Sequence, residues 1–273
     1  YGLLSASFFV AMDAVDVAFT EASVGAVIST LLMLVAISMT GRIERPGRHK
    51  PILAFAVVIV TGSLLIYGTL DMPYFGAVDA PIHQHVAPRY INDSMQEIGV
   101  PNIVTSVLAS YRAFDTFGEV VVIFTAGIGV LALLSVARRP KDHAKSDSLN
   151  QSMHEQYLIL RIVTKVMIPF ILLFAFYVQF HGDFGPGGGF QAGVIFASAI
   201  FLYAMLFGMD TARRLINQSF IQMLAASGVL LYGSVGVVSL LNGKSFFDYS
   251  ALSSDPLAGQ HLGILLIELG VGI

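Results

Sequence analysis

Arg112, Asp115 and Glu119 place one cation and two carboxylates at positions i, i+3 and i+7 of an apolar run. At about 100° per residue they lie within about 60° of one another, so one helix face would carry all three. An ionisable side chain costs roughly 2.5–3.5 kcal/mol at the centre of a membrane span, and it usually faces a bundle interior or a water-filled path. The trio reads as a proton or cation relay, with the charge of Arg112 tuning the carboxylates. The competing reading is a neutralised salt bridge that fixes packing. Asp115 with Arg112 would suit it, but Glu119 is left over, which favours transport.

Three further groups carry charge beside or inside apolar runs. Asp13, Asp16 and Glu21 follow one such run and precede another. A straight helix over residues 1–40 would be about 60 Å long, twice the hydrocarbon thickness, so a break is expected near these acids. Unwound backbone beside acids is one way to build a cation site; an acidic loop at the membrane surface is the equal alternative. Lys165 precedes Pro169, which should kink or break its helix. Lys165 faces a pathway or, slightly favoured, snorkels to the cytoplasmic surface. His261 and Glu268 are seven apart on one face of the last apolar run, and a lone carboxyl such as Glu268 needs protonation or a partner on another helix or subunit. The turn HGDFGPGGGFQAG at 181–193 has His181 and Asp183 at its mouth, then Pro186, Gly187, Gly188 and Gly189. It reads as an entrance-lining or hinge-like turn, or as a tight turn that lets helices pack; chemistry alone favours packing. No Lys-Ser/Thr follows, so a phosphate loop is not expected. His83 and His85 form a single HxH, too weak a signal to assign a metal.

The elements that must position these groups are membrane helices. Hydrophobic residues make up 55% of the chain and charged residues only 12%, against about 25% charged in soluble domains. Spans of about 20 residues are expected at 22–40, 51–70, 116–137, 157–180, 190–209, 215–241 and 259–273, with 1–12 as the end of a further one. The fold class is an all-α, polytopic transmembrane helical bundle of seven to eight membrane segments. Twelve Lys and Arg fall in or beside the connections 41–50, 138–156 and 210–214, against two, Arg89 and Lys244, on the other side. The three basic connections are therefore placed in the cytoplasm. The Pro-rich loop 71–100 is expected on the outer surface or against a partner, and the polar stretch 138–152 joins two membrane modules. A net charge of −3 makes nucleic acid an unfavourable partner. With no cysteine, the chain holds no disulfide, thiolate metal site or cysteine-ligated cluster. No cofactor and no metal is assigned, and any redox chemistry belongs to another subunit. The chain opens on Tyr1 and closes within an apolar run, so it is expected to be part of a longer protein; no cleavable signal peptide is recognisable.

The turn resembles the PGGGF motif of the Mrp antiporter B subunit (MnhB-like) family, and residues from about 155 to 273 follow that family's pattern through HLGILLIELGVGI. Where the family usually has a second glycine pair, this chain has Ala192-Gly193. NIVTSVLASYRAFDTFGE at 102–119 is similar to a motif near the C-terminus of the Mrp A subunit and in the matching small subunit of membrane-bound hydrogenases. AMDAVDVAFTEASVGA at 11–26 resembles the same family's APDVALTEA-type helix junction, with Val15 in place of the usual Pro and Gly25 as in the hydrogenase-type relatives. The resemblance implies three regions: 1–45 a helix-junction region, 46–150 a region like the E subunit of the hydrogenases, and 151–273 an MnhB-like domain. It also implies a fusion of an A-type tail with a B-type subunit in a bacterial or archaeal cytoplasmic membrane. Its implied partners are large antiporter-like and several small membrane subunits, with Na+ and H+ as the exchanged ions. The expected role is a secondary-transporter subunit, not an enzyme, that contributes buried acids to the ion path, Asp16 and Glu119 among them. The alternatives are an ion-translocating subunit in the membrane arm of a hydrogenase-type redox complex, or a scaffold subunit of either.

Overall fold

The computed structural model describes residues 1–40, 50–74, 76–136 and 158–273, and among these every regular element is helical. Among the described residues, six helical stretches are long and apolar enough to cross a membrane: Val15–Leu34, Pro51–Gly68, Ala113–Leu133, Leu158–His181, Gly189–Phe207 and Gln218–Leu241. The first and last apolar runs form shorter helices, Gly2–Ala11 and Pro256–Gly272. The expectation of seven to eight segments thus reduces to six helices of spanning length, flanked by two that length alone does not qualify.

The expected break near the N-terminal acids is present, and no proline makes it. Helix α1 (Gly2–Ala11) stops, Asp13 adopts a left-handed backbone with φ of 59°, and α2 (Val15–Glu21) begins two residues later. Asp enters that region more readily than most residues, which explains how the junction forms with Val at position 15. A π-helical segment, Ala22–Ile28, then runs into α3 (Ser29–Thr40). The chain divides into two compact units, Tyr1–Val35 with Ser94–Ile273, and Ala36–Asp93.

The smaller unit holds α4 (Pro51–Gly68), in which no residue is buried, and the one-turn helices Pro81–Gln84 and Ala87–Asn92. His83 lies in a helical turn, and both it and His85 are exposed. No cluster of three or more metal-ligating side chains occurs among the described residues.

In the larger unit, Ile98 and Val100 at the end of the Pro-rich loop are buried in the main core with Ala109, Ala113, Tyr232, Val235, Phe247, Tyr249, Ile264 and Ile267. That end of the loop is core, not surface cover. A second π-helical segment, Ser106–Tyr111, ends at Arg112 and leads into α5 (Ala113–Val136). Helix α6 (Leu158–His181) runs on through Pro169; of the expected kink or break, the break does not occur. It packs on α7 (Gly189–Phe207), and Ala175, Val178, Ala192 and Ile195 form their shared core. A short helix, α8 (Met209–Leu215), carries Arg213 and Arg214; the basic connections 41–49 and 138–156 lie outside the described residues. Helix α9 (Gln218–Leu241) packs on α10 (Pro256–Gly272), which starts from Asp255, whose side chain accepts from the Leu257 amide. Close approach of small residues drives these contacts, as is usual for membrane helices. A Cβ at Gly189 would lie 2.0 Å from the Glu268 carbonyl oxygen, so only glycine lets α7 meet α10 there.

Candidate functional site

The larger unit contains an open cleft of about 880 Å³, lined mainly by apolar side chains of α2, α5, α7 and α10. Four acids reach it: Asp16, Asp115, Glu119 and Glu268. Chain segments 86 to 171 residues apart in sequence meet beside it through side-chain hydrogen bonds.

Asn102 is the centre of that meeting. Its Oδ1 caps the helical turn Ile103–Thr105 by accepting from the Val104 and Thr105 amides. Its Nδ2 donates to Asp16 Oδ1 at 3.0 Å, to the Gly182 carbonyl at 3.1 Å and to the Gly185 carbonyl at 3.0 Å. Its backbone amide donates to the Asp183 carbonyl at 3.0 Å, and Thr105 Oγ1 donates to the Gly182 carbonyl at 2.7 Å. One buried carboxamide therefore ties the N-terminal junction to the glycine turn. Gln191 adds a second tie, donating from Nε2 to Thr20 Oγ1 at 2.8 Å. Charge and spacing in the sequence single out neither residue. Asn102 carries one readable signal, an N-cap residue type before an apolar run, but its long-range partners carry none.

The glycine turn is shaped by backbone needs. Gly188 has φ of 109°, and a Cβ there would crowd Glu268 Oε1 at 3.1 Å. Gly187, Gly188 and Gly189 line the cleft. Pro186 is half-buried between them and Gly185. His181 stacks on Tyr177, with ring centroids 4.9 Å apart. Asp183 faces His261 at 3.6 Å from Nδ1. Partial burial raises the Asp183 pKa above its ordinary 3.8, and the attraction and hydrogen bond of His261 offset part of that rise. His261 and Glu268, seven apart on α10, thus both face the turn, one at its acid and the other at its glycines.

Arg112 and Asp115 form an ion pair, with Nη2 and Nε each 2.6 Å from Asp115 Oδ2. Both side chains are more than half exposed, at 58% and 53%. Glu119, one turn further on the same helix, is exposed on the cleft wall. Asp13 is exposed at the left-handed corner and does not line the cleft. Glu21 is half-buried, turned toward Gly25 and also away from the cleft. Lys165 is exposed on α6 and does not line the cleft.

These placements overturn the expected chain of buried acids. Asp13, Asp115 and Glu119 are exposed; Asp16, Glu21, Asp183 and Glu268 are only half-buried; and no Asp or Glu is buried among the described residues. The reason is packing: α5 turns Ala113, Phe117 and Val120 toward the main core, and its other face, with Asp115 and Glu119, stays open. A closed ion path lined by buried acids is not formed among the described residues.

Three family models match the chain in sequence order. Residues 1–42 match MbhD, the D subunit of MBH; 54–152 match MbhE, the E subunit of MBH; and 159–273 match "Domain related to MnhB subunit of Na+/H+ antiporter". The putative antiporter subunit mnhB2 of Staphylococcus aureus (strain Newman) is 35% identical over 122 residues, 44% of this chain and 86% of that protein. The chain belongs to the Mrp/Mbh superfamily of antiporter- and hydrogenase-related membrane subunits. The probable K(+)/H(+) antiporter A/B subunit of Rhizobium meliloti (strain 1021) is 25% identical across 99% of this Mrp/Mbh chain, which spans 29% of that protein. Among solved structures, the Mrp complex from Dietzia sp. DQ12-45-1b matches 99% of the chain and 30% of its own, at 26% identity and a TM-score of 0.69. The membrane-bound sulfane sulfur reductase, an archaeal respiratory membrane complex, matches 81% of the chain and 96% of its own, at 26% identity and a TM-score of 0.55. This Mrp/Mbh chain is a multi-pass membrane protein, and it spans under a third of the Rhizobium relative and of the Dietzia chain it matches.

Proposed function

We propose that this chain is an assembly subunit of an Mrp-type monovalent cation/proton antiporter, in which one polypeptide joins an A-type tail to a B-type module. One observation carries the reading. Asp115 and Glu119 stand exposed on a helix of membrane-spanning length and hydropathy, and Arg112 stands exposed at the break just before it. Charges are not left facing lipid, so in the membrane neighbouring subunits cover this face. The cleft is then the seam between this chain and its partners. The order of the three matched regions and the A/B name of the Rhizobium relative support the fusion. Regions 1–45, 46–150 and 151–273 are its modules, with the polar stretch 138–152 as the joint. Na+ and H+ are the ions proposed for the assembly, although the Rhizobium relative is named for K+. The membrane is the bacterial or archaeal cytoplasmic membrane, with 41–50, 138–156 and 210–214 on the cytoplasmic side.

A second reading has its own observation. The two hydrogenase-type matches and the fit to 96% of a chain in a respiratory complex favour a place in the membrane arm of a redox assembly. Tagging this subunit, purifying it in mild detergent and identifying every co-purifying chain by mass spectrometry separates the two. Antiporter-like membrane subunits alone support the first. Soluble iron–sulfur or nickel subunits support the second. Purification of the intact chain by itself would refute both.

A further inference from the structure

The helix break before Arg112 is held from the C-terminal module. At the end of the π-helical segment Arg112 leaves helical geometry, with φ of −121° and ψ of 30°. Three side-chain hydroxyls reach the backbone carbonyls around it. Thr116 Oγ1 donates to Leu108 O at 2.8 Å, Tyr249 Oη donates to Ala109 O at 2.8 Å, and Tyr232 Oη donates to Ala113 O at 2.9 Å. The two tyrosines come from segments 119 and 140 residues away, and both are completely buried. Their rings are fixed independently of their hydroxyls. Tyr232 packs against Phe117 and Phe247, with centroids 5.4 and 5.3 Å apart, and Tyr249 fills space that a Cβ at Gly263 would occupy, 2.2 Å from its ring. Burying two phenol hydroxyls is unfavourable unless they find acceptors, and both find them on the same broken stretch of backbone.

We propose that Tyr232 and Tyr249 are positioning residues: they lock the break at 109–113 and so fix the direction in which α5 presents Asp115 and Glu119 to the cleft. Neither touches the cleft-lining acids' carboxylates by hydrogen bond. They act through the Ala109 and Ala113 carbonyls, which flank Arg112 on both sides. The MnhB-like module thereby sets the geometry of a site carried by the preceding module. This holds whichever assembly the subunit joins.

The test uses Tyr232→Phe and Tyr249→Phe in the full chain within its purified complex, because phenylalanine keeps the packed ring and removes only the hydroxyl. Amide hydrogen exchange over residues 106–116 is expected to quicken roughly fivefold in each variant, the effect of one hydrogen bond of ordinary strength. Exchange in α9 and α10 should stay at the wild-type rate. The chain has no cysteine, so Phe114→Cys on the cleft wall supplies a single thiol on it. After detergent treatment that strips the partner subunits, its maleimide labelling, read as a mass shift of this chain, should change severalfold when either tyrosine is replaced. Wild-type exchange over 106–116, an unchanged labelling rate, or exchange rising equally through α9 and α10 would each overturn the proposal. The last result would assign the tyrosines to general core packing.

Discussion

Single residues account for most of the site's order. Asn102 satisfies five groups through one side chain, and these belong to the N-terminal junction, its own helical turn and the glycine turn. Replacing it by alanine leaves buried carbonyls and amides without their partner, which costs of order 1–3 kcal/mol for each group that water cannot reach. Asn102→Ala should therefore lower the melting temperature of the purified complex by several degrees, whereas Asn92→Ala, which alters a residue outside this network, should not. Asp183 provides a pH test. Its pKa is raised by partial burial, so the folded state binds this proton more tightly than the unfolded chain does. Its contribution to stability is full below about pH 3.8 and is lost as the pH climbs through the raised folded value. Asp183→Asn should flatten that acid-range slope in a melting-temperature series from about pH 3.5 to 7; an unchanged slope would refute the assignment.

At the scale of elements, the α7–α10 contact depends on the absence of side chains. Gly189→Ala would drive a Cβ into the Glu268 carbonyl. Overpacking of this kind costs typically about 1–3 kcal/mol, and with backbone on the receiving side there is no side chain to swing away. Loss of this subunit from the purified assembly, or a melting temperature lowered by several degrees, is the expected result. Gly62→Ala in α4, where a Cβ meets nothing within 4 Å, is the matched control and should behave as wild type. The two π-helical segments belong to this scale as well. Each follows or precedes a charged cluster, and apolar periodicity does not distinguish such a segment from the α-helix around it.

The whole molecule is defined by what it leaves uncovered. Helix α4 buries nothing, and α5 shows an ion pair and a further acid on its open face. A single thiol at Val122, which is 67% exposed in this chain, should be shielded from a water-soluble maleimide in the assembled complex. After detergent treatment that strips the partner subunits it should label several times faster. Equal labelling in both states would contradict a covered seam.

The membrane class, the helical elements and the interrupted N-terminal junction were legible in the residues alone, because hydrophobic block length and charge placement are local properties. The family was legible there too, through motifs spread along the chain. Spacing placed Arg112, Asp115 and Glu119 on one helix face; α5 carries the two acids, and Arg112 stands at the non-helical break before it. Burial was decided elsewhere. Whether an acid is enclosed depends on which helices pack over it, and α9, which packs on α5, reaches it with a residue 119 positions away in sequence. Tertiary structure left that face open, joined Asp16 to the glycine turn through Asn102, and brought Tyr232 and Tyr249 onto one break. The last two are long-range contacts between groups whose local sequence carries no trace of its partner.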